Sequence, residues 1–241
     1  MCNFSRSLAI VAGLCAAPAL AGPPYQTDDP EPTDLHHWEI YSFATVDGRR
    51  SDLDGAIGLD LNYGAVKGVQ LTATLPLAFE DVTGRGWRSG TGDVELGAKY
   101  RFLNEEHGLQ VAVFPRVILP TADRDLGGHR LQLLLPLWMQ KDFGSTSLFG
   151  GGGYEINPGS GNRNFWQAGI ALTHDFSERL SLGTELTWQS ADTSDGKNST
   201  GFNIGLVHKL GGPASLLLAA GPSFSGRQTS YHAYAALGLN F

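Results

Sequence analysis

Charged side chains at alternate positions are the residues of this chain best placed to do chemistry. Asp93, Glu95, Lys99 and Arg101 are all of one parity, and in an extended strand successive side chains point to opposite faces, so these four share one. Arg116, Arg130, Gln132 and Glu185 extend the set in later segments. Opposite charges lining a watery passage set up a transverse field that selects solutes by charge and dipole. The same charges paired across an interior would instead pack it shut. Both readings stand, and these eight residues are the candidate pore lining.

A second cluster lies near the start of the chain. Asp28, Asp29, Glu31 and Asp34 alternate with Pro23, Pro24, Pro30 and Pro32, and prolines without N–H donors forbid a regular strand there. The segment 22–36 could turn into an interior and meet Arg101, Arg116 or Arg130 as a charge-paired gate, or hang free as a tail. Its four acidic residues are the candidate plug.

Nucleophilic chemistry would need a serine and a histidine held together. His174, His208 and His232 have Ser177 and Ser230 near them in sequence, but alternation sends them to various faces and no motif pairs them. His36, His37, His107 and His129 fall in the tail, a turn or a loop. Gly150 to Gly153 is followed by no Lys-Ser/Thr, so it is no phosphate loop, and glycine in a strand marks a kink or a close backbone approach. No catalytic residue, cofactor site or metal site is expected.

The elements that must position these side chains are strands. Val69, Leu71, Ala73, Leu75, Leu77 and Phe79 alternate with Gln70, Thr72, Thr74, Pro76 and Ala78, and Val94, Leu96, Ala98, Tyr100 and Phe102 interleave with the charged row. Such alternation recurs at 57–63, 109–119, 131–139, 166–172, 180–188, 202–206 and 231–241, with further strands at 38–46 and 147–156. Alternation alone does not separate a soluble sandwich from a barrel with apolar residues facing lipid. Segment length does, since these approach the ~9–11 residues that cross a bilayer at a tilt. Connections also alternate, tight near 64–68, 103–108, 142–146, 176–179 and 209–213 and long near 80–91, 120–129, 157–164, 189–199 and 221–228, as in barrels with short periplasmic turns and long outer loops. Leu134, Pro136 and Trp138, with Phe114 and Ile118, fall on the inward face and make the interior mixed, either a path for apolar solutes or a packed wall.

Aromatic residues gather near strand ends, among them Trp38, Tyr100, Trp166, Trp188 and Tyr231, as an interfacial girdle requires. The chain ends in Phe241 after an alternating strand, which resembles the signal read by the outer-membrane assembly machinery. Residues 1–21 read as an export signal, with Arg6, an apolar run from Leu8 to Ala17 and Ala19-Leu20-Ala21. Both cysteines, Cys2 and Cys15, fall inside it, so the exported chain has no thiol chemistry. The formal net charge of −7 becomes −8 without Arg6 and makes nucleic acid an improbable partner. No later apolar run reaches the ~20 residues of a membrane helix.

Several blocks carry a family resemblance. Pro24 to Trp38 (PYQTDDPEPTDLHHW), Leu61 to Ala65 (LNYGA), Gly92 to Phe102 (GDVELGAKYRF), Pro136 to Lys141 (PLWMQK), Gly150 to Trp166 (GGGGYEINPGSGNRNFW) and Ser199 to Gly205 (STGFNIG) resemble the recurring blocks of an outer-membrane transporter family named for the meta-pathway of phenol degradation. The resemblance implies a transport role linked to aromatic catabolism without identifying a substrate.

The expectation is therefore all-β: an up-and-down antiparallel barrel of about 12 strands over 37–241, after a signal at 1–21 and a Pro/acidic segment at 22–36. It would sit in the bacterial outer membrane against lipid and pass small solutes, with phenol-type aromatics a candidate class, by diffusion and without cofactor. A structural or adhesive barrel with a closed lumen is the alternative, and a lipid-modifying enzyme stands behind it.

Overall fold

The computed structural model describes residues 23–49, 52–105, 108–123 and 126–241. The expected export signal and His107 lie outside them. The described chain forms β1 (Trp38–Arg49), β2 (Asp52–Val66), β3 (Val69–Val82), β4 (Gly86–Thr91), β5 (Val94–Asn104), β6 (Leu109–Val113), β7 (Arg116–Leu119), β8 (Gln132–Phe143), β9 (Thr146–Ile156), β10 (Phe165–Ser177), β11 (Leu180–Gln189), β12 (Ser199–Gly211), β13 (Ala214–Ser225) and β14 (Gln228–Asn240). Neighbours pair antiparallel, and β1 pairs β14 from Glu39↔Asn240 to Gly48↔Tyr231, which closes the sheet on itself; among the described strands β4 has a ladder with β3 alone. β4 with β5, and β6 with β7, are each one crossing broken in the middle, so the barrel has 12 crossings.

Both breaks face a proline. Pro76 of β3 points its carbonyl at the first break, accepting from Gly92 N at 3.0 Å, and Pro136 of β8 accepts from Phe114 N at 3.1 Å at the second. In an antiparallel ladder the N–H lies on the same side as the C=O, so each proline removes the donor that would have continued the pairing there. The expected strand at 93–102 is the unbroken β5, which the first break separates from β4 at 92–93, and the expected strand at 109–119 is interrupted at 114–115. β13 was bracketed in the sequence only by its flanking turn and loop.

Two connections expected to be long are not. Residues 80–91 extend β3 and β4 into a hairpin with Phe79 stacked on Trp87 at 5.3 Å, and 221–228 continue β13 and β14 up to the Ser225↔Gln228 pair. Polar side chains in both segments hide that they remain paired. One side of the outer rim is thus a tall strand wall. The other side carries the loops 120–131, 157–164 and 190–198, the last two joined by the Asn162↔Thr193 bridge.

Alternation places the apolar set outside. In β8, Leu135, Leu137 and Met139 are exposed while Leu134, Trp138 and Gln140 between them are buried. Leu59, Leu75, Leu77, Ile170, Leu172, Leu186, Ile204 and Leu237 join the exposed apolar band. In water such a surface would be an aggregation liability; against acyl chains it is the expected exterior of a membrane barrel.

Candidate functional site: a polar lumen crossed by the N-terminal segment

Residues 23–33 lie inside the barrel, and 34–37 join them to β1 at the exposed rim. The segment leaves β1 at its lower, terminus-bearing end, where Leu35 bridges Gly64 of β2 and His36 N donates to Gly64 O at 2.7 Å. It then climbs across the interior to the opposite wall. Thr27, Asp29 and Pro30 are fully buried. An extended segment carries unpaired backbone groups, which must find partners when they leave water, and the inward side chains of the wall supply them.

On the near wall Gln70 is the acceptor. Its Oε1 takes Thr33 N at 2.8 Å and Thr33 Oγ1 at 3.0 Å, while its own Nε2 donates to Asn62 and Thr72. At mid-lumen Lys99 Nζ donates to Asp28 Oδ1 at 3.0 Å and to the carbonyl of Glu31 at 3.3 Å, with Asp29 Oδ1 at 3.8 Å. Arg116 reaches Asp28 Oδ2 at 3.7 Å and Glu95 Oε1 at 2.8 Å. Lys99 and Arg116 also lie over the Phe114 ring, at 5.1 and 4.5 Å, a favourable face for cations. Arg101 is 3.9 Å from Glu31 and bonds Gln110 at 2.8 Å.

The far wall holds the segment through one carboxylate. Glu185 of β11 accepts Gln26 N at 3.0 Å on Oε1 and Thr27 N at 2.9 Å on Oε2, and Asn203 Nδ2 at 2.8 Å on Oε1. Three charge-assisted bonds offset the cost of burying this carboxylate. Tyr25 packs edge-on against Phe149, 6.1 Å between centroids, and its ring lies where Cβ atoms on Gly183 and Gly205 would intrude.

Burial pushes the Asp29 carboxyl up to about 8, against the lowering influence of Lys99 and with Asp28 and Glu31 adding to the rise. Burial likewise raises Glu31, opposed by Arg101. Asp29 Oδ2 has no hydrogen-bond partner among the described residues.

The candidate residues separate as follows. Glu95, Lys99, Arg101, Arg116 and Glu185 face the lumen and meet each other or the segment. Gln132 faces in near the outer end and donates to Asn157 Oδ1 at 2.6 Å. Asp93 sits in the first strand break, not in the charged row, and accepts Ala122 N at 3.0 Å and Gly128 N at 2.7 Å, so it ties down the loop 120–131. Arg130 is exposed in the loop ahead of β8 and meets no tail carboxylate. Of the acidic four, Asp28, Asp29 and Glu31 lie among the wall cations, whereas Asp34 is exposed, its carbonyl accepting His37 N at 3.0 Å. Lys99 is the nearest cation to the segment, ahead of the three arginines that composition singled out.

Sequence reasoning missed Gln70, Asn62, Thr72, Asn203 and the Asp142 cluster, in which Gln110, Gln140 and Ser147 all donate to Asp142. Their signal was parity alone. An outer row was also missed: His232, Asp47, Asp54, Glu80 and Arg88 are successive partners across β14, β1, β2, β3 and β4, with His232 3.1 Å from Asp47. His174 bonds Thr146 and faces outward, His208 is exposed, and Ser177 caps the turn at Arg179.

The sequence profile of the family described as "Putative MetA-pathway of phenol degradation" matches residues 42–241. The chain belongs to this family. No curated protein matches it. Among solved structures, an outer membrane channel from Pseudomonas putida F1 is similar at a TM-score of 0.77 and 14% identity, covering 88% of this chain and 98% of that one. The KdgM porin gives a TM-score of 0.59 at 12% identity, with 84% and 99% covered. The translocator domain of autotransporter NalP from Neisseria meningitidis gives 0.54 at 12%, with 85% and 88% covered. At these identities the likeness concerns the fold, which is that of bacterial outer-membrane barrels.

Proposed function

We propose that this family member is an outer-membrane channel for passive diffusion of small solutes, closed in this conformation by residues 23–33. The observation that carries the reading is how the lumen is filled. A barrel built as a solid support would be closed by side chains of its own wall, paired with one another across the interior. Here the middle is occupied by a separate strand of chain, held by ion pairs and hydrogen bonds that water can replace, with cavities of about 80 and 110 Å³ around it. Leaving the lumen exchanges those bonds for bonds to water, and the apolar groups it would expose are Tyr25 and the buried prolines Pro24, Pro30 and Pro32.

In this reading Glu95, Lys99, Arg101, Arg116 and Glu185 line the opened pore, and Asp28, Asp29 and Glu31 are the plug that neutralises it. The apolar exterior contacts outer-membrane lipid, the final alternating strand with Phe241 engages the assembly machinery, and residues 1–21 are the export signal. No catalysis is assigned: among the described residues no histidine is bonded to a serine, His174 pairing with Thr146 and His232 with Asp47. The deciding experiment is planar-bilayer conductance of refolded 22–241 against the same barrel lacking 23–34. Discrete conductance that appears or grows on deletion is expected. Silence from a correctly folded deletion variant would leave the structural barrel, which the smallness of the cavities favours.

A further inference from the structure

Above the segment, toward the outer mouth, a cavity of about 80 Å³ is lined by Gln26, Thr27, Trp138, Gln167, Thr187 and Gln189, among others, and no lining residue carries a charge. This contrasts with the lower half of the lumen, where carboxylates and cations crowd together. Two polar groups in the lining lack protein partners among the described residues: the indole N–H of Trp138, 5% exposed, and the hydroxyl of Thr27, 1% exposed. A buried donor left unsatisfied is costly, so whatever fills the cavity must accept from Trp138.

The wall is shaped to present these groups. A Cβ on Gly151 of β9 would lie 3.0 Å from Trp138 Cε3 and only 2.0 Å from the Leu137 carbonyl, and a Cβ on Gly169 of β10 would lie 2.1 Å from Thr27 Oγ1. The two glycines are cross-strand partners. The glycine run at 150–153 therefore makes room for an indole from β8 and a hydroxyl from the segment, side by side.

We propose that this cavity is a binding subsite for a small uncharged solute bearing a hydrogen-bond acceptor oxygen, docked on Trp138 Nε1 and resting against Thr27. A charged solute would lose its hydration here and meet no counter-ion. The segment forms the floor, so the solute presses on the part of the chain that must move for passage. This rests on the channel reading for its role but not for its existence: a barrel that binds at Trp138 yet conducts nothing without residues 23–34 would keep the subsite and refute transport.

The test is a matched series small enough for the cavity, acetamide, acetate and ethylammonium, added to the full mature protein with ¹⁵N-labelled tryptophan. The chain has five tryptophans; Trp38, Trp87, Trp166 and Trp188 are all exposed on the described structure, so a lipid-soluble spin label and W138F identify the Trp138 indole signal. That signal is expected to shift saturably with acetamide, at concentrations at least about tenfold lower than with either ion. Loss of one hydrogen bond in W138F should weaken acetamide about five- to tenfold by ligand-observed saturation transfer. T27V, outside the strands, should weaken it too and serves if W138F misfolds. A Trp138 signal that ignores acetamide, equal response to the ions, or unchanged affinity in the folded variants overturns the proposal.

Discussion

Glu185→Gln is the substitution that most directly probes how the segment is held. The carboxylate presents one oxygen to Gln26 N and the other to Thr27 N, with Asn203 sharing the first. An amide of the same shape keeps one acceptor and turns a donor toward the other backbone N–H. One N–H is orphaned, at a cost of about 1–3 kcal/mol, and the surviving bond falls from charge-assisted to neutral, about 1 kcal/mol more. Relief from burying a charge works the other way and takes back part of this. The net expectation is about 2 kcal/mol against docking, which multiplies the undocked population about thirtyfold. The barrel itself should be untouched, since the ladder bonds of β11 come from backbone. Open probability in single-channel records, with amide exchange at Gln26 and Thr27 as the structural readout, checks it. If both amides exchange no faster and the channel stays closed while the barrel shows normal heat-modifiable mobility on a gel, the holding role assigned to Glu185 is wrong.

Further expectations follow from the same contacts. Lys99→Met leaves Asp28 and Asp29 without their nearest cation, so the segment should loosen by about 3 kcal/mol; in the barrel that already lacks 23–34 the same substitution should produce no further opening by conductance, and an additive effect would refute the shared cause. Free in water the Asp29 carboxyl titrates near 3.8 and docked it titrates near 8, so its support for docking is complete below the first value and is lost as pH rises through the second. Open probability should therefore climb between about pH 4 and about pH 8, and a flat profile removes Asp29 from the mechanism. Ile170, half exposed in the middle of β10, faces acyl chains, so Ile170→Arg should cost about 2–4 kcal/mol in urea-driven folding into liposomes; no loss would mean that this face does not meet lipid.

Much of this architecture is legible in the residues because a lipid-facing barrel must declare its exterior at every second position. Leu71, Leu75 and Leu77 cannot face a wet lumen, which fixes the parity of Gln70, Thr72 and Thr74 and so of everything inside. What the pattern could not carry is ladder continuity. The outer hairpins near 80–91 and 221–228 lose the regular apolar alternation once they rise beyond the membrane, with Trp87 and Phe224 isolated among polar residues and glycines, and such strands read as loops. Nor could parity say which inward charges meet. Arg130 and Arg116 look alike in sequence, yet one ends in an exposed loop because β8 begins at Gln132. The choice of Lys99 over the arginines depends on the height at which the segment crosses, a three-dimensional fact set by its anchorage at Gly64.

The prolines and glycines that interrupt the pattern are the same residues that shape the lumen. Pro76 and Pro136 each end a ladder, and the two breaks fall on the crossings that carry the charged row, so Asp93 is freed to hold a loop and Phe114 turns inward beneath Lys99 and Arg116. On the opposite wall Gly169, Gly183 and Gly205 remove side chains where the segment must lie. A barrel wanting only a lining would alternate regularly all round. This one is irregular where its own N-terminal chain passes, which argues that segment and wall are built for each other: the cationic side fixes the segment's charge, the glycine side gives it space, and Glu185 alone bonds its backbone there. Losing that one carboxylate should therefore free the far end while leaving Asp28 on Lys99, a half-released state distinct from the full release expected of the lysine variant.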